Sequence, residues 1–306
     1  MLSRPFRLAW LVAAGALLLL RAPDASGQGA PVPLRFGVIA EDQGEPDRML
    51  RAYGGMIARL RERLAPANVR VDDLVIARDL DDLSQRLARG DVDMVVETAF
   101  PTLVLKERSR CLDPALVVVR RGQREYRSVF FTRKETPIRA LADLRGRTLV
   151  LQALRSTSAF ALPKAELERA GLAVVPADES RAARGSVRYV LALSEINQAI
   201  WVLHDRGDAG AFNDGDWAAL PEKIRSQLRV FHETRPLVRG LLSFRVGFDP
   251  KARRAAEAVL LALDGDAAGR AALALASGVT RFERLTAPDR REFQAWAPIL
   301  RPVPSR

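Results

Sequence analysis

An α/β fold in two lobes, each a mostly parallel sheet flanked by helices, is what this 306-residue sequence predicts. Three observations carry that expectation. Short apolar runs of strand length alternate with longer stretches at helical spacing. The connections between them are short, which favours parallel strands crossed over by helices. Two such units follow one another with no Pro/Gly-rich linker and no internal repeat, so the chain should cross between lobes more than once.

Each element has its own reason. Leu34–Ile39 is a short apolar strand. Residues 46–64 put Met49, Tyr53, Met56, Ile57, Leu60 and Leu64 on one helical face. Asp72–Ala77 is a second strand. Asp79 caps a helix that runs to Arg89, with Leu80, Leu83 and Leu87 inward and Gly90 as its stop. Asp93–Glu97 is a third strand, and a helix follows Pro101 as far as Arg108. Leu116–Arg120 and Tyr126–Arg133 are strands on either side of Gly122.

The second unit begins near Pro137. A short helical turn over 138–147 precedes a strand at Thr148, and Val187–Leu193 is the next strand. Ser194 caps a helix in which Ile196, Ala199, Ile200 and Leu203 share a face, and Gly207 stops it. Ala209–Phe212 is a short strand ending in Asn213. Arg229–Arg239 reads as extended and Leu241–Phe248 as a strand. From Asp249 onward the pattern is helical, over 250–263, 266–276 and 287–300.

The N-terminus sets the expected compartment. Arg4 and Arg7 precede the apolar run Leu8–Leu20, which is short for a bilayer span and is followed at once by polar and small residues. This is the pattern of a secretory signal over residues 1–27, cleaved near Ala25-Ser26-Gly27, which marks the chain for export; retention as a single membrane anchor is the other reading. The sole cysteine, Cys111, can form no internal disulfide, so stability must come from the core. The formal charge of +11 does not indicate nucleic-acid binding, because the arginines are scattered among acids and not interleaved with aromatics. A basic surface on an exported protein fits capture of anions or contact with an anionic membrane face. His204 and His232 belong to no metal-ligand spacing, and no nucleophile elbow or P-loop is present, so no catalytic residue, metal or cofactor is assigned.

The most informative stretch is Thr148–Gly171. An apolar strand hands over to a helix through Ser156-Thr157-Ser158. The first N–H groups of a helix lack internal partners and carry positive partial charge, so hydroxyls there can complete a cradle for a small oxyanion. Serine and threonine are equally the ordinary N-cap residues, and both roles stay open at this point.

Several motifs in order resemble one family. Gly90-Asp91-Val92-Asp93 precedes an apolar strand and a Pro-containing loop; Gly122…Tyr126-Arg127-Ser128 precedes another strand. Leu141-Ala142-Asp143-Leu144-Arg145-Gly146-Arg147 resembles the "DLxGK" turn of type II periplasmic solute-binding proteins. Ser156-Thr157-Ser158 with Pro163, Leu167 and Gly171 resembles the "STSG…P…L…G" motif of the phosphate, phosphite and phosphonate branch. Gly207-Asp208-Ala209-Gly210-Ala211 resembles that branch's "G-x-x-D-A-G-A".

The resemblance implies a periplasmic receptor of an ABC importer, closing on a small phosphorus oxyanion between lobes joined by two crossing hinge segments. Lobe I would comprise 31–131 and 237–306, and lobe II 132–236. The ligand would meet Ser156, Thr157 and Ser158 from the second lobe, with Glu195 and Asn213, and Tyr53, Glu97, Thr98 and Phe100 from the first. Implied partners are the small anion and a transporter permease; nucleic acid is not one, and the protein would be a monomer. Two departures bear on the ligand: Glu195 stands where the family has histidine, and Glu97 where it has a neutral residue. Two carboxylates at the mouth suggest a ligand with a cationic part, an aminoalkyl phosphonate or another cationic solute. A sensor presenting its ligand state to a membrane histidine kinase is the alternative role.

Overall fold

The computed structural model describes residues 29–40 and 45–298. The expected signal, 1–27, lies outside these residues. None of the described helices is long and apolar enough to cross a membrane.

Two six-stranded sheets form the two lobes. The first runs in the order Val279–Arg284, Leu112–Arg120, Leu241–Arg245, Met94–Glu97, Phe36–Ile39, Val75–Ala77. The second runs Val174–Pro176, Val187–Leu191, Thr148–Leu151, Ala209–Asn213, Ser128–Arg133, Leu228–Glu233. The second sheet is parallel from Val174–Pro176 through Ala209–Asn213, and its last two pairings are antiparallel. The first is parallel only among Met94–Glu97, Phe36–Ile39 and Val75–Ala77. Its other pairings are antiparallel because those strands arrive after the chain has returned from the second lobe or double back on it.

The crossing is a two-stranded ribbon, Glu125–Tyr126 against Leu237–Val238, with Tyr126 opposite Leu237. Leu237–Val238 lies within the extended segment expected from sequence and Glu125–Tyr126 at the start of the other, but the strand after the first crossing belongs to the second lobe. Ser128–Phe131, placed in the first lobe by sequence, pairs within the second sheet. Its residues are apolar on both faces: Phe130 enters one core of that lobe, Val129 and Phe131 the other.

Local signals explain most helices. Glu45–Leu64 buries Tyr53, Met56, Ile57, Leu60 and Leu64, a stripe at helical spacing against the first sheet. Leu80–Arg89 is capped by Asp79, whose carboxylate accepts from Asp82 N at 2.8 Å, and stops at Gly90 with φ of 78°. Asp93 is fully buried at the start of its strand. It accepts from Arg35 Nε at 2.8 Å on one side and Arg245 Nη2 at 2.9 Å on the other, so it ties the returning strand to the first one.

The C-terminal region departs from the helical expectation. Between the helices Ala267–Leu275 and Ala287–Trp296, Val279–Arg284 forms an antiparallel edge strand on Leu112–Arg120. Only Val279 and Phe282 point inward, and the register shifts between Val279 and Arg281, so no alternation marks it in the sequence. The short strands Val69–Val71 and Val174–Pro176 escape sequence reading for the same reason of length.

Candidate functional site

Ligands of open α/β sheets sit beyond the carboxyl ends of parallel strands. Here four such ends converge at the lobe junction, each passing into a helical turn. Met94–Glu97 leads into the helix Ala99–Ser109, and Thr148–Leu151 into the turn Thr157–Ala161. Val187–Leu191 leads into Glu195–Leu203, and Ala209–Asn213 into Asp214–Ala219.

Thr157 joins the lobes. Its Oγ1 accepts from Phe100 N at 2.9 Å and donates to Thr98 Oγ1 at 2.9 Å. The helix Ala99–Ser109 has no side-chain cap of its own from Thr98, so a hydroxyl of the other lobe takes one of its orphan N–H groups. Ser156 is an N-cap, its Oγ accepting from Ala159 N at 3.1 Å. Ser158 is buried, and its carbonyl accepts from Ser128 Oγ at 2.6 Å. Of the three hydroxyls, one caps locally and one reaches across.

The other expected residues divide. Asn213 is buried and caps the next helix, accepting from Asp216 N at 2.9 Å. Phe100 is buried in an apolar cluster that also contains Phe160 and Trp296. Tyr53 lies in the core of the first lobe, its ring edge-on to Phe36 at 5.2 Å. Glu195 accepts from Gln152 Nε2 at 2.7 Å. Burial raises its carboxyl above the ordinary range; its own backbone N–H opposes this and Asp216 adds to it. Glu97 is taken up by Arg155 at 3.2 Å across the lobe junction, which leaves it poorly placed for a cationic ligand group.

Sequence reading missed a second set of residues at the ribbon. Arg120 ends its strand at a tight turn that closes from Gln123 N to Arg120 O at 2.9 Å, with Arg121 and Gly122 both left-handed. Arg121 reaches Asp216 at 3.5 Å. Arg239 lies over the Tyr126 ring at 5.5 Å and donates to Gln123 Oε1. A Cβ on Gly215 would meet Gln123 Oε1 at 2.3 Å, so a larger residue there would displace the Gln123 amide from its present place. Tyr126 is buried and its hydroxyl has no hydrogen-bond partner among the described residues. Burial pushes its phenol up to about 12, while Thr157, Arg239, Arg120 and Ser158, lying alongside, act in the opposite direction. The only sequence signal for this set was the Gly122…Tyr126 motif, read there for its strand alone. Among the described residues no group of three or more His, Cys, Asp or Glu could hold a metal ion.

The family model described as "ABC transporter, phosphonate, periplasmic substrate-binding protein" matches residues 36–289. Among solved structures, XAC2383 from Xanthomonas citri bound to chloride ion is 31% identical, with TM-score 0.80 over 88% of this chain and 97% of that one. The same protein bound to ATP aligns at 30% identity and TM-score 0.79, covering 88% and 96%. PhnD1 from Prochlorococcus marinus in complex with methylphosphonate shares the fold, at 19% identity and TM-score 0.62 over 89% of this chain and 100% of that one. No match was found among curated protein sequences.

Proposed function

The chain belongs to the family of periplasmic substrate-binding proteins of phosphonate ABC transporters, and on that premise we propose that it captures a small phosphorus oxyanion at the lobe junction and presents it to a permease. Members of this family bind solutes; they are not enzymes. The observation that carries the reading is the position of Thr157 Oγ1. It accepts from the Phe100 N–H and donates to Thr98 at the start of a helix. A phosphonate or phosphate oxygen would find the same N–H there, with the helix dipole in its favour. The lobes open to admit the ligand and close on it: the oxyanion takes the Phe100 N–H, and the Thr157 and Ser158 hydroxyls turn to donate to it. Charged acceptors gain more from such donors than a hydroxyl does, which favours the exchange.

The lobes pivot on the ribbon Glu125–Tyr126 and Leu237–Val238, where few hydrogen bonds cross. The relative from Xanthomonas citri has been seen with chloride and with ATP, both anions, which supports an anion site. Export by residues 1–27 is part of the proposal. The test is a thermal-shift screen of protein recovered from the periplasm, with phosphate, phosphite, methylphosphonate and 2-aminoethylphosphonate. At least one should raise the melting temperature in a saturable way; no shift from any of them would refute the reading.

A further inference from the structure

We propose that Arg120, Arg239 and the Tyr126 hydroxyl form a second anion subsite beside the Thr157 cradle, so that the ligand carries two anionic groups, as a phosphonocarboxylate or a diphosphate does. This deepens the anion-capture reading and rests on it.

The argument is one of charge and hydrogen-bond accounting at the ribbon. No carboxylate lies within ion-pair distance of Arg120 or Arg239 among the described residues. Arg124, on the same turn, shows what a structural arginine looks like here: it is held by Glu283 at 2.8 Å and by Asp289 at 2.6 Å. Arg239 instead has a neutral partner, Gln123, and an aromatic face, Tyr126. Among the described residues, Arg120 Nε and Tyr126 Oη are both buried with no hydrogen-bond partner in good geometry, though the Thr157 and Ser158 side chains lie beside the hydroxyl. Buried donors are nearly always satisfied, and Arg120 lies near enough to act on the Tyr126 phenol, so two orphan donors in this region point to an acceptor that both could use.

Nearby carboxylates do not fill that role. Asp216 is engaged by Arg121 and Asn213. Asp214 accepts from Gly215 N at 3.0 Å and from Gln123 Nε2 at 3.3 Å. Glu195 is held by Gln152. Burial lowers the Arg239 guanidinium from its ordinary value, opposed by Asp216 and then Tyr126, so its charge stands to gain from an incoming anion. Tyr126 links the two subsites: its ring carries Arg239 on one side, and Thr157 and Ser158 lie beside its hydroxyl. A guanidinium matches a planar carboxylate or a phosphoryl group through paired N–H donors.

The test is calorimetric titration at fixed pH and salt with methylphosphonate, which has one anionic group, and phosphonoacetate, which has two. Wild type should bind phosphonoacetate more tightly by about tenfold or more, the value of one hydrogen bond to a charged group. Arg239→Gln should reduce that ratio by about tenfold, and Arg239→Lys should restore part of it. Arg120→Gln should reduce the same ratio and decides the matter if Arg239→Gln does not fold. If methylphosphonate binds and phosphonoacetate gains nothing, or if the ratio survives in folded variants, the second subsite is wrong and the single-oxyanion reading stands. If neither probe binds, the second subsite is wrong, and the capture reading then stands or falls with the four-ligand thermal-shift screen.

Discussion

Two arginine clusters at opposite ends of the first sheet are built on opposite plans. Around Asp93, Arg35 and Arg245 converge on one buried carboxylate, and every oxygen of that carboxylate is used. Around Tyr126, Arg120 and Arg239 meet no carboxylate at ion-pair distance among the described residues, and two donors there have no acceptor among them. The first cluster closes its charge within the chain and fastens one strand to another. The second leaves its charge open where the lobes meet. The paired arginines serve the scaffold; under the proposal, Arg120 and Arg239 serve the ligand.

Breaking the closed cluster should give the largest effect. Asp93→Asn leaves two guanidiniums without their anion, and removing one partner of a buried pair costs about 3–5 kcal/mol. The melting temperature should fall by roughly ten degrees, while the ratio of affinities for phosphonoacetate and methylphosphonate stays as in wild type. An unchanged melting temperature would end the distinction between the two clusters.

A second prediction concerns pH. Burial raises the Glu195 carboxyl, so its proton is held more tightly in the folded chain than in the unfolded one. Below the unfolded value both states carry the proton and nothing is lost. As pH rises through the raised folded value, the group ionises, its stabilising contribution disappears, and a negative charge appears beside the anion site. Glu195→Gln should therefore lose less methylphosphonate affinity than wild type as pH rises through the raised folded value, both proteins being titrated with the same ligand so that its own titration cancels. Parallel pH curves would remove Glu195 from the site.

The smallest effect is expected at Glu97. Its pair with Arg155 is partly exposed, and such pairs contribute about 0–1 kcal/mol. Glu97→Gln removes one negative charge at the lobe junction and should strengthen methylphosphonate binding by less than about fivefold. A large loss instead would mean that Glu97 itself contacts the ligand.

What the sequence made legible was local. Asp79 and Gly90 bound their helix as the cap rules require, and Ser156-Thr157-Ser158 falls at a strand-to-helix junction, where neighbouring residues alone decide the geometry. What it concealed depends on distance along the chain. Glu97 meets Arg155 across 58 residues, and this turns a possible cation receptor into half of an ion pair. Gln123 meets Arg239 across 116 residues, a contact made only because the ribbon brings the outgoing and returning chain together. Tyr53 illustrates the converse: the helical pattern that places it correctly also commits it to the core of the first lobe. The edge strand Val279–Arg284 was hidden because a half-exposed, bulged strand offers too few inward residues to alternate.

The most direct test of oxyanion capture at the lobe junction is calorimetric titration of methylphosphonate into wild type and Thr157→Val, with the melting temperature of each recorded. The valine keeps the size and loses both the donor to Thr98 and the acceptor for Phe100 N. Wild type should bind one equivalent, and the variant should bind about tenfold to a hundredfold more weakly while melting within a few degrees of it. Equal affinity in a variant that melts well below wild type would contradict the account and make Thr157 a structural link between the lobes and nothing more.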